Sequence, residues 1–144
     1  MVDSVFSVFS IPVRVYYEDT DAGGVVYYAN YLKFLERCRT EWLRSIGHDQ
    51  IDLLGDPGIA FVVRGVSLEY LKPARLDDLV HAGLRVDKIT RSQLFFSQRI
   101  WREVAEGCRE TLVDAKIQIV CVNAAQMKIV SIPSSLRIAL EKNQ

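Results

Sequence analysis

The pattern that most restricts the fold is one long amphipathic helix followed by four long strand-like runs with very short separations. Over 30–46, Tyr31, Phe34, Leu35, Cys38, Trp42 and Ile46 recur at three- and four-residue spacing, with Lys33, Arg37, Arg39 and Arg44 largely between them. Asn30 reads as the N-cap and Gly47 lies just past the end. Leu32 and Leu43 widen the apolar stripe, which predicts a helix covered on more than one side. The runs 59–71, 79–89, 94–102 and 111–122 are then rich in β-branched and aromatic residues. Pro73 with Asp77-Asp78, then Thr90-Arg91-Ser92, then Glu106-Gly107 separate them. A parallel crossover needs about a dozen residues or more, so these strands are expected to be antiparallel.

A further strand is expected at 11–17, a short one at 126–130, and a C-terminal helix opening at Pro133. The order is that of an α+β chain: an antiparallel sheet of about five strands whose apolar face the long helix covers. Unfilled sheet edges and a second helix flank predict a homodimer or homotetramer. No repeat or linker divides the sequence, so 1–144 is read as a single domain.

Net charge is zero, from 18 basic and 18 acidic residues, which gives no global field to attract nucleic acid or an anionic membrane. Cys38, Cys108 and Cys121 are an odd, scattered set that suits reduced thiols. The start, MVDSVFSVFSIPVRV, lacks a basic leader and meets Arg14 before any membrane-length apolar run, so neither a signal peptide nor membrane insertion is expected. The expected location is cytoplasmic.

Chemistry concentrates in 16–42, YYEDTDAGGVVYYANYLKFLERCRTEW. Two aspartates lie in a glycine-containing loop that delivers the chain to the start of the long helix. Unbonded N–H groups and the positive end of the helix dipole gather there and can hold a developing oxyanion. A carboxylate beside them can activate water or attack an acyl carbon. Gly23 and Gly24 permit close backbone approach. Acidic loops also cap helices without doing chemistry, so these residues alone leave both readings open.

The segment resembles the signature of the 4-hydroxybenzoyl-CoA thioesterase family, most closely its Tol–Pal-associated acyl-CoA thioesterase branch. Tyr17, Asp19, Thr20, Asp21, Gly24, Val26, Tyr27, Tyr31, Glu36, Arg39, Glu41 and Leu43 stand at motif positions. The likeness continues through Glu69-Tyr70-Leu71-Lys72-Pro73-Ala74 and Asp77-Asp78. It implies a hotdog fold, in which the sheet wraps the long helix, and hydrolysis of an acyl-CoA to a free acid and CoA without a cofactor or metal. It also implies that Asp21 is the catalytic carboxylate, as base or nucleophile, and that a backbone N–H near Tyr28 is the oxyanion donor. Tyr17, Gly24 and Val26 fall at substrate-binding positions, and Arg91-Ser92 at the turn that meets CoA phosphates. The branch usually carries His where this chain has Tyr28. A phenol, with a pKa of about 10, does not replace imidazole in proton transfer, whereas a backbone donor survives the exchange.

Other residues fit structural roles. Asp19 is expected to hold the loop through backbone N–H groups, and Glu36 to pair with Arg39 or Arg37. His48 and His81 are isolated from other ligand types, and Cys38 lies on the apolar helix face. Arg99 and Arg102 are alternatives to Lys88 and Arg91 for phosphate contacts, while Phe95, Phe96 and Trp101 suit core or subunit contact. Two other functions compete: a hotdog hydratase or dehydratase, and a non-catalytic module binding acyl carrier protein or a lipid-synthesis partner. The hydratase chemistry generally wants a loop histidine, and none lies between Asp21 and Trp42.

Overall fold

The computed structural model describes residues 8–144. Strand β1 (Phe9–Arg14) leads through a 3-10 turn at Tyr17–Asp19 into helix α1 (Asn30–Ser45) and a short helix α2 (Gln50–Gly55). Strands β2 (Ile59–Tyr70), β3 (Leu79–Ile89), β4 (Gln93–Ala105) and β5 (Cys108–Asn123) follow, and helix α3 (Ser134–Lys142) ends the chain. The five strands form one sheet in the order β1-β3-β4-β5-β2, each pairing antiparallel. This is the hotdog arrangement that the motif implies.

Helix α1 lies on β1, β3 and β4. Alternation along the strands directs Val80, Ala82, Leu84 and Val86 of β3, and Leu94, Phe96 and Ile100 of β4, into one core with Phe34, Leu35, Cys38 and Trp42 of the helix. The Trp42 and Phe96 rings meet edge to face, 5.7 Å between centroids. On the opposite sheet face, Trp101 is sandwiched between the His81 ring, 5.8 Å away, and the Arg109 guanidinium, 4.5 Å from its centroid. Both ends of the strand order are edges. That of β2 leaves Val63 and Val66 exposed.

The structure corrects three local expectations and adds one short helix. The first strand stops at Arg14 and does not reach Tyr17, because the Asp19 carboxylate takes the Tyr16 N–H at 2.8 Å and turns the chain into the 3-10 turn. Asn30 does not cap α1 through its side chain; Ala29 occupies that position, and the Asn30 amide donates to the Asp19 carbonyl at 2.9 Å. Helix α2 carries too few residues for a periodic signal, although Asp49 caps it by accepting from the Asp52 N–H. The 126–130 segment makes a single bridge, Ile129 with Val122, and no named strand.

Candidate active site

The loop between β1 and α1 is closed by its own backbone. Asp21 N–H donates to Val25 O at 2.9 Å, Gly24 N–H donates to Asp21 O at 3.0 Å, and Thr20 bridges Val26. One carboxylate oxygen of Asp21 accepts from Gly23 N–H at 2.8 Å, while the residue stays exposed. The two glycines serve different ends. A Cβ on Gly23 would stand 3.3 Å from Asp21 Oδ1, crowding the carboxylate, whereas Gly24 has a positive φ of 77° and open space around it.

Asp21 lines an open depression of about 380 Å³ with Tyr17, Thr20, Ala22, Gly24 and Leu76. Tyr17 is 83% exposed at its rim. The rival Asp19 is only 7% exposed, and it is occupied by the Tyr16 N–H, as its structural reading required. Val26 follows the motif spacing, yet its side chain is buried in the core and its N–H donates to Ala74 O. It shapes the loop without facing the depression.

At the start of α1, the N–H groups of Tyr28 and Ala29 donate to none of the described residues. They sit at the positive end of a sixteen-residue helix. The Tyr28 ring is exposed beside Tyr27 (4.8 Å) and Tyr70 (6.2 Å), and the Tyr70 hydroxyl donates to Tyr28 O at 3.1 Å. An exposed carboxylate and two donors available to an anion thus come from the two ends of one short loop.

Arg91 and Ser92 are placed elsewhere. The Asp21 loop meets the start of β3, where Asp77 and Asp78 bond to Val15. Arg91 and Ser92 sit beyond its far end, and eleven extended residues span about 36 Å. Arg91 donates to Ser131 Oγ at 2.8 Å, and Ser92 is 8% exposed. Within one copy the structure does not bring them to Asp21. The alternative arginines are already engaged: Arg99 with Asp114 at 3.4 Å, and Arg102 with Asp78 and Glu110. Glu36 pairs with neither Arg37 nor Arg39, but accepts from Thr40 Oγ1 at 2.6 Å, because Arg39 turns inward to Gln98. Among the described residues, no group of three or more His, Cys, Asp or Glu could hold a metal.

Sequence reading missed a smaller cavity of about 120 Å³ beside the later turns of α1, lined by Arg39, Trp42, Phe61 and Phe96 among others. The apolar alternation of β2 and β4 is its only trace in the sequence. The loop 73–78 forms one wall of the Asp21 depression through Leu76, a contact that neither its separator residues nor its share in the family likeness reveals.

Residues 23–108 match the model of the thioesterase superfamily. The chain belongs to that family. It is 43% identical over 131 residues to the acyl-CoA thioesterase YbgC of Haemophilus influenzae, covering 91% of this chain and 93% of that protein. A probable thioesterase from Bartonella henselae is 35% identical, with a TM-score of 0.78, covering 86% of this chain and 98% of that one. The structure of a 4-hydroxybenzoyl CoA thioesterase complexed with 4-hydroxybenzoyl CoA superposes with a TM-score of 0.83 over 90% of this chain and 96% of that one; at 15% identity it shows the shared fold. The family resemblance carried by the 16–42 motif is therefore borne out, and this member is an enzyme of the thioester hydrolase type. No helix among the described residues is long and apolar enough to cross a membrane.

Proposed function

We propose that the chain hydrolyses acyl-CoA thioesters to a free acid and CoA, with Asp21 as the catalytic residue. The observation that carries the activity is the 43% identity to an acyl-CoA thioesterase along 91% of the chain. What supports the residue is that Asp21 is the carboxylate of the DTD sequence left exposed in the depression, Asp19 being engaged by backbone. The thioester carbonyl carbon is attacked by water whose proton Asp21 accepts, or by the Asp21 carboxylate to give a mixed anhydride that water then opens. In either route the carbonyl electrons move to oxygen, where the Tyr28 N–H and the helix dipole meet them. A donor of this kind contributes about 3–4 kcal/mol to the transition state. Electrons then return to the carbonyl, the C–S bond breaks, and the thiol leaves with a proton.

The unpaired β2 edge and the separation of Arg91 from Asp21 support assembly as a homodimer or homotetramer. In such an assembly Tyr17 and Gly24 of one copy border the acyl group while Arg91 and Ser92 of another meet the CoA phosphates. Three free thiols suit a cytoplasmic setting.

The test is thiol release from short, long and aromatic acyl-CoAs, with acyl carrier protein thioesters in the same panel, for wild type and Asp21→Asn. Turnover that collapses in a folded Asp21→Asn protein supports the assignment. Turnover retained there moves catalysis to another group, and no turnover on any thioester overturns the activity. A single turnover in ¹⁸O-water identifies an anhydride opened at the Asp21 carbonyl, since only that opening passes an unlabelled Asp21 oxygen to the product and leaves ¹⁸O on Asp21.

A further inference from the structure

The loop 73–78 has no catalytic side chain, yet it backs the turn that presents Asp21. Its Ala74 O accepts from Val26 N–H at 2.9 Å, its Leu76 N–H donates to Gly24 O at 3.4 Å, and Arg75 bridges Val25. Ala74 N–H donates to the Tyr31 hydroxyl at 3.0 Å, which ties the same loop to the first turn of α1. Val25 O in turn holds the Asp21 N–H. Among the described residues no ion pair holds the 20–26 turn; its position depends on backbone bonds to 74–76 and within itself.

One guanidinium grips both ends of that backing loop. Arg102, on β4, donates from Nη1 to Pro73 O at 3.3 Å and to Asp78 Oδ2 at 2.7 Å. Its Nη2 and Nε donate to Glu110 Oε1, at 2.6 and 3.0 Å, on the cross-strand neighbour in β5. Asp78 Oδ2 also accepts from Arg75 N–H at 2.9 Å, which closes the loop on itself. The arrangement runs from the middle of the sheet to the loop ends and from the loop centre to the Asp21 turn. A planar, multi-armed cation suits such a node, because one group can satisfy a carbonyl and two carboxylates in fixed directions.

We propose that Arg102 is a positioning residue for hydrolysis: through Pro73 and Asp78 it sets the 73–78 loop, which fixes the Asp21 turn against the start of α1. This rests on the reading of Asp21 as the catalytic carboxylate. Lysine at 102 keeps the charge but cannot reach Pro73 O, Asp78 and Glu110 together, so it loosens the loop without removing the cation.

The experiment compares wild type with Arg102→Lys, Asp78→Asn and Lys72→Met on the best acyl-CoA of the panel, together with melting temperature and amide hydrogen exchange. Lys72→Met removes the outer contact to Glu110 and leaves the Arg102 bonds to the loop. Arg102→Lys and Asp78→Asn should lower kcat by about 10- to 100-fold, the scale of a small misplacement, with KM changed by no more than about twofold. Exchange should quicken in 20–26 and remain as in wild type in the last turns of α1. Lys72→Met should keep wild-type kcat. Unchanged kcat in both variants, or an equal loss in Lys72→Met, overturns the proposal and leaves the network a matter of stability. Should Arg102→Lys not fold, Asp78→Asn carries the test, since it leaves the Arg102–Glu110 pair in place. Should wild type hydrolyse nothing, the catalytic reading fails by itself, and exchange decides the positioning: protection at 20–26 that is unaltered in the variants overturns it.

Discussion

The Tyr31 hydroxyl accepts a 3.0 Å hydrogen bond from Ala74 N–H, and it joins the first turn of α1 to the loop behind Asp21 inside the core. Tyr31 is 3% exposed and Ala74 is fully buried. Removing the hydroxyl leaves a buried backbone donor without a partner, whose desolvation costs about 1–3 kcal/mol. Tyr31→Phe should therefore lower the unfolding free energy measured in urea by that amount while its ring still packs on Phe34. It should also lower kcat more than KM, as measured by thiol release, because the bond it removes holds the same loop.

A second polar tie crosses the core further along the helix. Arg39 donates to Gln98 Oε1 at 2.8 Å, and the fully buried Gln98 donates from Nε2 to Leu35 O at 3.2 Å. Burial pushes the Arg39 guanidinium below its ordinary value, with the Glu36 charge opposing. Gln98→Leu leaves Arg39 facing an apolar wall and should cost about 1–3 kcal/mol in chemical denaturation. In the double variant Arg39→Met/Gln98→Leu the loss should be smaller than the sum of the single losses, because the stranded charge is gone.

The strand pattern was legible because alternation and β-branched residues mark β2 to β5, and β3 begins and ends where its pattern does. The 16–42 motif made Asp21 visible through its fixed spacing. Its surroundings were not legible, for definite reasons. That Asp19 holds the loop through a backbone N–H was expected, but that the donor is Tyr16 is a matter of loop closure. Arg102 and Glu110 are eight residues apart and look like any surface charges until the register sets them opposite one another. The far placement of Arg91 follows from the length of β3 and the direction of the hairpin, which spacing along a motif does not encode.

The two aspartates of the loop should separate cleanly in function. Asp19 acts through an oxygen that accepts the Tyr16 N–H, and asparagine retains such an oxygen. Asp19→Asn should keep most of the wild-type kcat, whereas Asp19→Ala should lose about 0.5–2 kcal/mol of stability, as capping losses do. Asp21→Asn should lose at least about 100-fold in kcat with a melting temperature close to wild type. Steady-state kinetics and thermal melts on the three proteins check both halves.

Burial pushes the Cys38 thiol up to about 12 and that of Cys121 up to about 11. At pH 8 only about one Cys38 in 10⁴ would be thiolate, and the thiolate is the reactive form. In a native Ellman assay Cys38 and Cys121 should remain unmodified, and both should react once the chain is unfolded in guanidinium. Mass spectrometry of the labelled peptides identifies which thiols reacted.

On the sheet face away from α1, Asp87 accepts from Ser97 Oγ and from Arg85 Nε at 3.0 Å, with Lys116 Nζ 3.7 Å away. Burial pushes its carboxyl up, but the hydrogen bonds from Ser97 and Arg85 and the charges of Lys116 and Arg85 outweigh this and hold it below the usual carboxylate range. A carboxyl whose folded pKa lies below its unfolded value binds protons more readily when unfolded. Its contribution is therefore present above about pH 4 and is lost as pH falls through the folded value. Asp87→Asn should be less stable than wild type at pH 7, and the two urea midpoints should converge as pH is lowered below about 4. A constant gap across that range would mean that the ion pairs contribute nothing and that the variant acts only through packing around Ser97.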